Sequence, residues 1–255
     1  MIIEWPSSDY ESFHHACDDA IMNNKTIEIA NNTTIIIDNT ILIKSNGKTL
    51  IILGKCNDDN NDRPKIIGSG HSVFQIGGRK TSLHLENVII THDCSRSDKA
   101  DIGACIFGLY RSTISITNCS LSSIFGFSVW AVQQCIISIS NSYIHSKNRS
   151  GCVIFGKSKA TFNNVIINDC KQHGLCSRGE TDVCITNSSI SNCGVRGVYS
   201  YHNVTLTMLN CIITNTISKN ASAIDCWSIS NYDATGILIL LILILIHNHT
   251  NLHYF

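Results

Sequence analysis

Two residue columns that recur about every 23 positions, with alternating apolar and polar residues between them, predict an all-β chain: a single-stranded right-handed parallel β-helix. A short amphipathic segment near the start adds an N-terminal capping helix. The expected layout is strand and capping helix over 1–25, solenoid over 26–233, and an apolar strand or cap with a tail over 234–255.

The first column is asparagine. An alternating run, an Asn and a short apolar pair recur, as in Leu83-His84-Leu85-Glu86-Asn87-Val88 and Val183-Cys184-Ile185-Thr186-Asn187-Ser188. The asparagines are Asn87, Asn118, Asn141, Asn164, Asn187 and Asn210, so the last four steps are each 23. The first step is 31, which is 23 plus 8, and the polar stretch Asp93–Asp101 supplies a loop for the excess. The second column is glycine: Gly103, Gly126, Gly151, Gly174 and Gly197 step by 23, 25, 23 and 23. Period-two alternation means strands with one buried face. Three strands of five or six residues with short turns fill about 23 residues, so each coil pairs in parallel with the next, about 4.8 Å away. Asparagine suits the corner, because it tolerates left-handed backbone and its amides hydrogen-bond along a stack.

The earlier coils are less regular. Lys25-Thr26-Ile27-Glu28-Ile29 recurs 23 residues on as Lys48-Thr49-Leu50-Ile51-Ile52. Strand-like runs follow at Thr34–Ile37, Ile41–Ile43, Lys65–Ile67 and Val73–Ile76, and Cys56–Arg63 reads as a solvated loop. Solenoids need capped ends. Ser8-Asp9-Tyr10-Glu11 has the form of a capping box, and Phe13, Cys17, Ala20 and Ile21 share one helical face, so a helix is expected over about 9–23. Residues 237–246 are ten consecutive apolar residues. As a helix they reach only about 15 Å against roughly 30 Å of hydrocarbon, so a final strand or cap is expected, not a membrane span.

Composition narrows the partners. Lys+Arg and Asp+Glu are both 19, so no basic surplus points to nucleic acid. The 13 cysteines include no CxxC pair and read as reduced, buried small hydrophobes. With no basic-then-apolar stretch at Met1–Pro6, this implies a cytoplasmic or nuclear setting. No metal-ligand spacing, phosphate loop or nucleophile motif is present, so neither metal nor cofactor is expected.

Phe13…Ala16-Cys17…Ala20…Ile27…Ile29, followed by Leu50–Gly54 and Pro64–Gly68, resembles the start of pectate-lyase-like β-helix domains. The Gly-initiated coils from Gly103 to Thr216 resemble the generic right-handed β-helix repeat. The likeness covers about residues 10–230. That repeat is shared by carbohydrate-active enzymes and by non-enzymatic proteins, including β-helical F-box proteins and Shc SH2-domain-binding proteins. The resemblance implies a fold and leaves activity open. Polygalacturonases would show Asn-Thr-Asp, Asp-Asp and Gly-His-Gly motifs on successive coils. This chain has none of them: Asp18-Asp19 falls on the cap helix and Asp58-Asp59 in a polar loop. The chain therefore stands closer to the generic repeat proteins.

Candidate chemistry is sparse. Glu180 and Asp182, near Arg178, form the best local acidic pair, but Lys157 precedes Glu180 by 23 and should stack on it as a surface ion pair. No catalytic residue is assigned. Counting four residues past each coil-opening Gly gives Phe107, Trp130, Phe155, Arg178 and Tyr201, and the next coil, counted from Ala221, gives Asp225. Residues one and three past the Gly, such as Ala104/Ile106 and Phe127/Val129, should face inward, which turns the fourth outward. An outward row of rings with an Arg suits a protein or a carbohydrate polymer. The expectation is a non-enzymatic recognition module working along this face. The alternative is a polysaccharide lyase, hydrolase or epimerase with its groove there.

Overall fold

The computed structural model describes residues 1–44, 46–56, 62–94, 103–216, 224–227 and 238–246, with backbone alone at 225–227 and 238–246. Of the expected loops Cys56–Arg63 and Asp93–Asp101, residues 57–61, which include Asp58-Asp59, and residues 95–101 lie outside the described residues.

The chain winds in triplets of strands. β1 (Ile2–Trp5) and α1 (Phe13–Asn23) precede β2 (Thr26–Ile29), β3 (Thr34–Ile37) and β4 (Ile41–Ile43). The next coils are β5 (Thr49–Gly54), β6 (Lys65–Gly68) and β7 (Ser72–Gly77), then β8 (Ser82–Glu86), β9 (Ile89–His92) and β10 (Ala104–Leu109). They continue as β11 (Thr113–Thr117), β12 (Ser120–Ser123) and β13 (Phe127–Ala131), then β14 (Ile136–Ser140), β15 (Tyr143–Ser146) and β16 (Cys152–Phe155). After them come β17 (Lys159–Asn163), β18 (Ile166–Asn168) and β19 (His173–Arg178), then β20 (Asp182–Thr186), β21 (Ser189–Ser191) and β22 (Arg196–Tyr201). Last are β23 (Thr205–Thr214), β24 (Ile224–Trp227) and β25 (Leu238–Ile246).

Every strand pairing is parallel, and corresponding strands stack coil on coil. β4, β7, β10, β13, β16, β19, β22 and β24 form one eight-stranded sheet, and the remaining seventeen strands form the other. Thr113 pairs with Ile136, Ile136 with Lys159, Lys159 with Asp182 and Asp182 with Thr205, so the coil length over 113–205 is 23 by subtraction. Inside, identical positions stack into dry columns. Ile27, Ile52, Leu85, Ile116, Ile139, Phe162, Ile185 and Met208 follow one another in register, all fully or almost fully buried. Each such side chain contributes roughly 1.5–3 kcal/mol of burial.

The asparagine column occupies the corner between the two strands of each coil that belong to the larger sheet. Asn87, Asn118, Asn141, Asn164, Asn187 and Asn210 all have φ between 49° and 57°, the left-handed region. Asn118 Nδ2 donates to Asn87 Oδ1 at 2.5 Å, so the 31-residue step still stacks, and Asn164 donates to Asn141 at 2.8 Å. Asn187 donates to Asn163 at 3.1 Å rather than to Asn164, while its Oδ1 accepts from Asn210 at 3.2 Å.

Three local expectations need correction. The helix begins at Phe13, four residues later than expected, because Ser12, not Ser8, accepts from the His15 N–H as N-cap; Asn24 in αL closes it. The Lys25–Ile29 repeat is out of step: Thr26 pairs with Ile51 and Ile27 with Ile52, so this coil is 25 residues long by subtraction, not 23. Phe127 does not point inward. Ser128 and Val129 both donate to the Gly151 carbonyl, the strand turns there, and Ser128 takes the buried place. At the far end, the apolar run adds the strand β25 on β23, Leu206 opposite Leu238 through Thr214 opposite Ile246.

The twelve cysteines whose side chains are described are free thiols; ten are buried, Cys56 is exposed and Cys184 half-buried. Burial pushes Cys105 and Cys176 up to about 12 and Cys119 to about 11. Such thiols stay protonated and act as small core residues. Among the described residues, no helix is long and apolar enough to cross a membrane, and no cluster of His, Cys, Asp or Glu is arranged to hold a metal.

Candidate functional site: an aromatic and cationic sheet face

The outer face of the eight-stranded sheet carries the expected row, but in two columns rather than one. Phe107 pairs with Trp130, and Trp130 pairs with Val153, not with Phe155. Phe155 pairs with Arg178, and Arg178 with Tyr201. Tyr201 pairs with Trp227, while Asp225 lies opposite Tyr199. The cause is the 25-residue glycine step. The coil length stays at 23, so Gly151 stacks beside Ser128 rather than Gly126, and counting from glycine slips by two. Asp225, counted from Ala221, is misplaced for a different reason: Tyr201 pairs with Trp227, a step of 26 by subtraction, and the Asp225 side chain lies outside the described residues.

The face consequently divides into two clusters. In the first, Phe107 and Trp130 stack with centroids 4.4 Å apart and planes at 22°. Phe127 meets Trp130 edge-on at 5.5 Å, and His71 lies 5.9 Å from Phe107. Phe107, Phe127 and Trp130 are each half-buried. The Trp130 indole N–H is enclosed and has no acceptor. No charged residue lies on β7, β10 or β13.

In the second, Tyr199 stacks on Tyr201 at 4.8 Å and 23°. The Arg196 guanidinium lies 4.6 Å over Tyr199, Arg178 lies 5.3 Å over Tyr201, and His173 adjoins Tyr199 at 4.9 Å. Arg178 is exposed; Tyr199, Tyr201 and Phe155 are half-buried. A guanidinium stacked on a ring keeps its N–H edges directed outward for carboxylate or phosphate. Sequence counting missed Tyr199, Arg196, His173 and His71. Tyr199 lies two residues before Tyr201 on the same outward face, so strand alternation was the signal.

A hydrogen-bonded column shapes the turns that lead into this sheet. His92, Ser123 and Ser146 occupy equivalent positions in successive coils. His92 Nε2 lies 3.0 Å from the Gly70 carbonyl, which can only accept, so Nε2 carries the proton. Nδ1 then accepts from the Ser123 hydroxyl at 3.1 Å. Burial holds the His92 pKa below its ordinary value. Ser146 donates to the Gly126 carbonyl at 2.8 Å.

Glu180 and Asp182 converge on no site. Lys157 pairs with Glu180 at 3.1 Å and Lys159 with Asp182 at 3.8 Å, both across neighbouring coils and exposed. A shallow depression of about 460 Å³ lies past the strands' C-terminal ends, lined by residues including Arg79, Tyr110, Arg111 and Gln134. There Arg111 donates to Gln134 at 2.5 Å.

These coils, their asparagine corner and their three strands per turn define a parallel β-helix protein. The chain belongs to the family described as the right handed beta helix region, which matches residues 74–236. Among solved structures it resembles ybhC of Escherichia coli at 11% identity and a TM-score of 0.61, over 84% of this chain and 72% of that one. It also resembles the pectin methylesterase of Aspergillus niger at 12% identity and a TM-score of 0.55, over 98% of this chain and 86% of that one. The pectate lyase Pel9A gives 10% identity and a TM-score of 0.53, over 91% and 72%. At these identities the likeness is one of fold. No curated protein matches the sequence.

Proposed function

We propose that the chain is a non-enzymatic recognition module that binds a protein or a glycan along the outer face of its eight-stranded sheet. The observation that carries this reading is the run of half-buried rings and arginines across successive coils of that one face. Aromatic and arginine side chains held on a rigid sheet supply contact area at low entropic cost. The test compares the intact chain with Trp130→Ala and Tyr201→Ala on arrayed glycans and displayed peptides. Each substitution is expected to weaken binding at least fivefold while the thermal transition is retained. Unchanged binding in both variants would overturn the reading.

A second reading, a carbohydrate-active enzyme, is favoured by the fold shared with a pectin methylesterase and a pectate lyase. It meets one difficulty. The difficulty concerns a hydrolase: glycoside hydrolysis uses two carboxylates roughly 5–9.5 Å apart, and on the described strands of this sheet Asp225 is the one acid. Cleavage of a polyuronate that is lost in Arg178→Ala or Glu180→Ala would establish the enzyme instead.

A further inference from the structure

The two clusters differ in charge, and this specifies the occupant of the face more narrowly; the inference rests on the recognition reading above. Around the second cluster, Lys147 and Arg149 stand in the turn before β16 and Lys171 in the turn before β19. Arg196 opens β22 and Arg178 ends β19. Leaving aside Arg196, which is already engaged, the same turns and strands set one acid, Asp169, against the four cations Lys147, Arg149, Lys171 and Arg178, with Asp225 on the next strand. Lys157 and Lys159 do not count toward the patch, since Glu180 and Asp182 neutralise them. In a chain with no net charge, these turns and strands therefore carry a local positive surplus.

The ring geometry separates a peptide from a sugar. A pyranose stacks on an open ring face, but the ladder uses the faces itself. Phe107 covers Trp130, Tyr199 covers Tyr201, and the two guanidinium groups lie over the tyrosines. What points outward is largely ring edge and guanidinium. The first cluster also offers few polar groups to sugar hydroxyls: its indole N–H is enclosed, Gln75 is the one amide side chain on its strands, and the exposed His71 adjoins Phe107. Sugar specificity needs several convergent donors and acceptors.

We propose that this face binds an extended segment of a partner protein, apolar at one end and acidic at the other. The apolar end lies over Phe107, Phe127 and Trp130, and its Asp or Glu carboxylates meet the exposed Arg178. From β10 to β22 is four coil steps, ~19 Å at ~4.8 Å each, which an extended chain covers in about six residues at ~3.3 Å per residue.

The experiment selects a displayed library of random twelve-residue peptides on the full chain. It then measures the enriched peptides by fluorescence polarisation, with polygalacturonate as a parallel probe. Enriched peptides are expected to place an acidic run beside aromatic or aliphatic residues. Arg178→Ala should weaken them at least tenfold, Arg178→Glu further, and 0.3 M salt should reduce binding in the intact chain more than in Arg178→Ala. Arg178 is exposed, and an unchanged thermal transition confirms that these variants fold. Absence of enrichment, enriched peptides without acids, or indifference to Arg178→Ala overturns the proposal. If polygalacturonate binds in a Trp130- and Arg178-dependent way and peptides do not, the face remains a recognition surface and its occupant is a glycan.

Discussion

The two halves of the eight-stranded sheet are built from the same coil, yet they present different chemistry. Over β10 and β13 the outer positions hold Phe107, Phe127 and Trp130, with no charge on the strands. Over β19 and β22 the outer positions hold Arg178, Tyr199 and Tyr201, of which Tyr199 alone continues the Phe107–Trp130 column, with Arg196 at the strand start. The interior hardly changes: Ile106, Val129, Cys152, Leu175 and Val198 are all fully buried. A solenoid core constrains one face of each strand and leaves the other free, so neighbouring coils can carry unrelated surfaces on a common scaffold. Function is to be sought in that free column.

The largest expected effect distinguishes the halves through their glycines. A Cβ on Gly103 would meet the His71 carbonyl oxygen at 1.7 Å, whereas one on Gly174 would meet a side-chain methyl of Ile190 at 2.6 Å and the Gly197 carbonyl at 2.7 Å. Gly103→Ala should cost about 3 kcal/mol or more in denaturant unfolding, and Gly174→Ala clearly less. Equal costs would mean that the apolar half packs no more tightly at its strand starts.

Binding should separate the halves next. Trp130→Ala is expected to lose about 1–3 kcal/mol of affinity with little salt dependence, and Arg178→Ala a similar amount that shrinks as salt rises. Titrations at two ionic strengths check this, and identical salt slopes would erase the distinction.

A pH effect belongs to the apolar side, where His92 precedes β10. Burial lowers its folded pKa from the ordinary value near 6.5. Its neutral form is favoured in the fold, so the stabilisation is complete above about pH 6.5. It is lost as pH falls, because the unfolded chain then binds the proton more readily. Unfolding midpoints should drop between pH 7.5 and 5.5. In His92→Ser, which copies the Ser123 and Ser146 positions, that slope should flatten whatever the variant's absolute stability. An unchanged slope would assign the effect elsewhere.

The smallest effect expected is that of Trp130→Phe. It removes an enclosed N–H that has no acceptor, and that relief offsets the lost ring area. Stability should stay within about 1 kcal/mol in thermal unfolding, and a larger loss would show that the indole ring itself locks the stack.

Much of the fold was legible because it is periodic. The asparagine corner, the alternating strands and the stacked Lys157–Glu180 pair all follow from a step of 23. The helix start was misread because two serines compete for one cap, and only the chain's path at Ser12 decides between them. The outer row was legible in part. Phe107 with Trp130, and Arg178 with Tyr201, are neighbours as expected, while the link from Trp130 to Phe155 is not. Glycine marks where a strand can begin, not which residue lies beside which.

The sequence by itself determined the coil, its length and the inward columns, because burial of alternate residues leaves a repeating signature in any one chain. Tertiary structure alone decided the two-residue slip at Gly151, the outward turn of Phe127 and the stack of Arg196, Tyr199, Tyr201 and Arg178. These depend on which backbone groups hydrogen-bond between coils, and a shift of two residues preserves strand alternation while changing every neighbour on the surface.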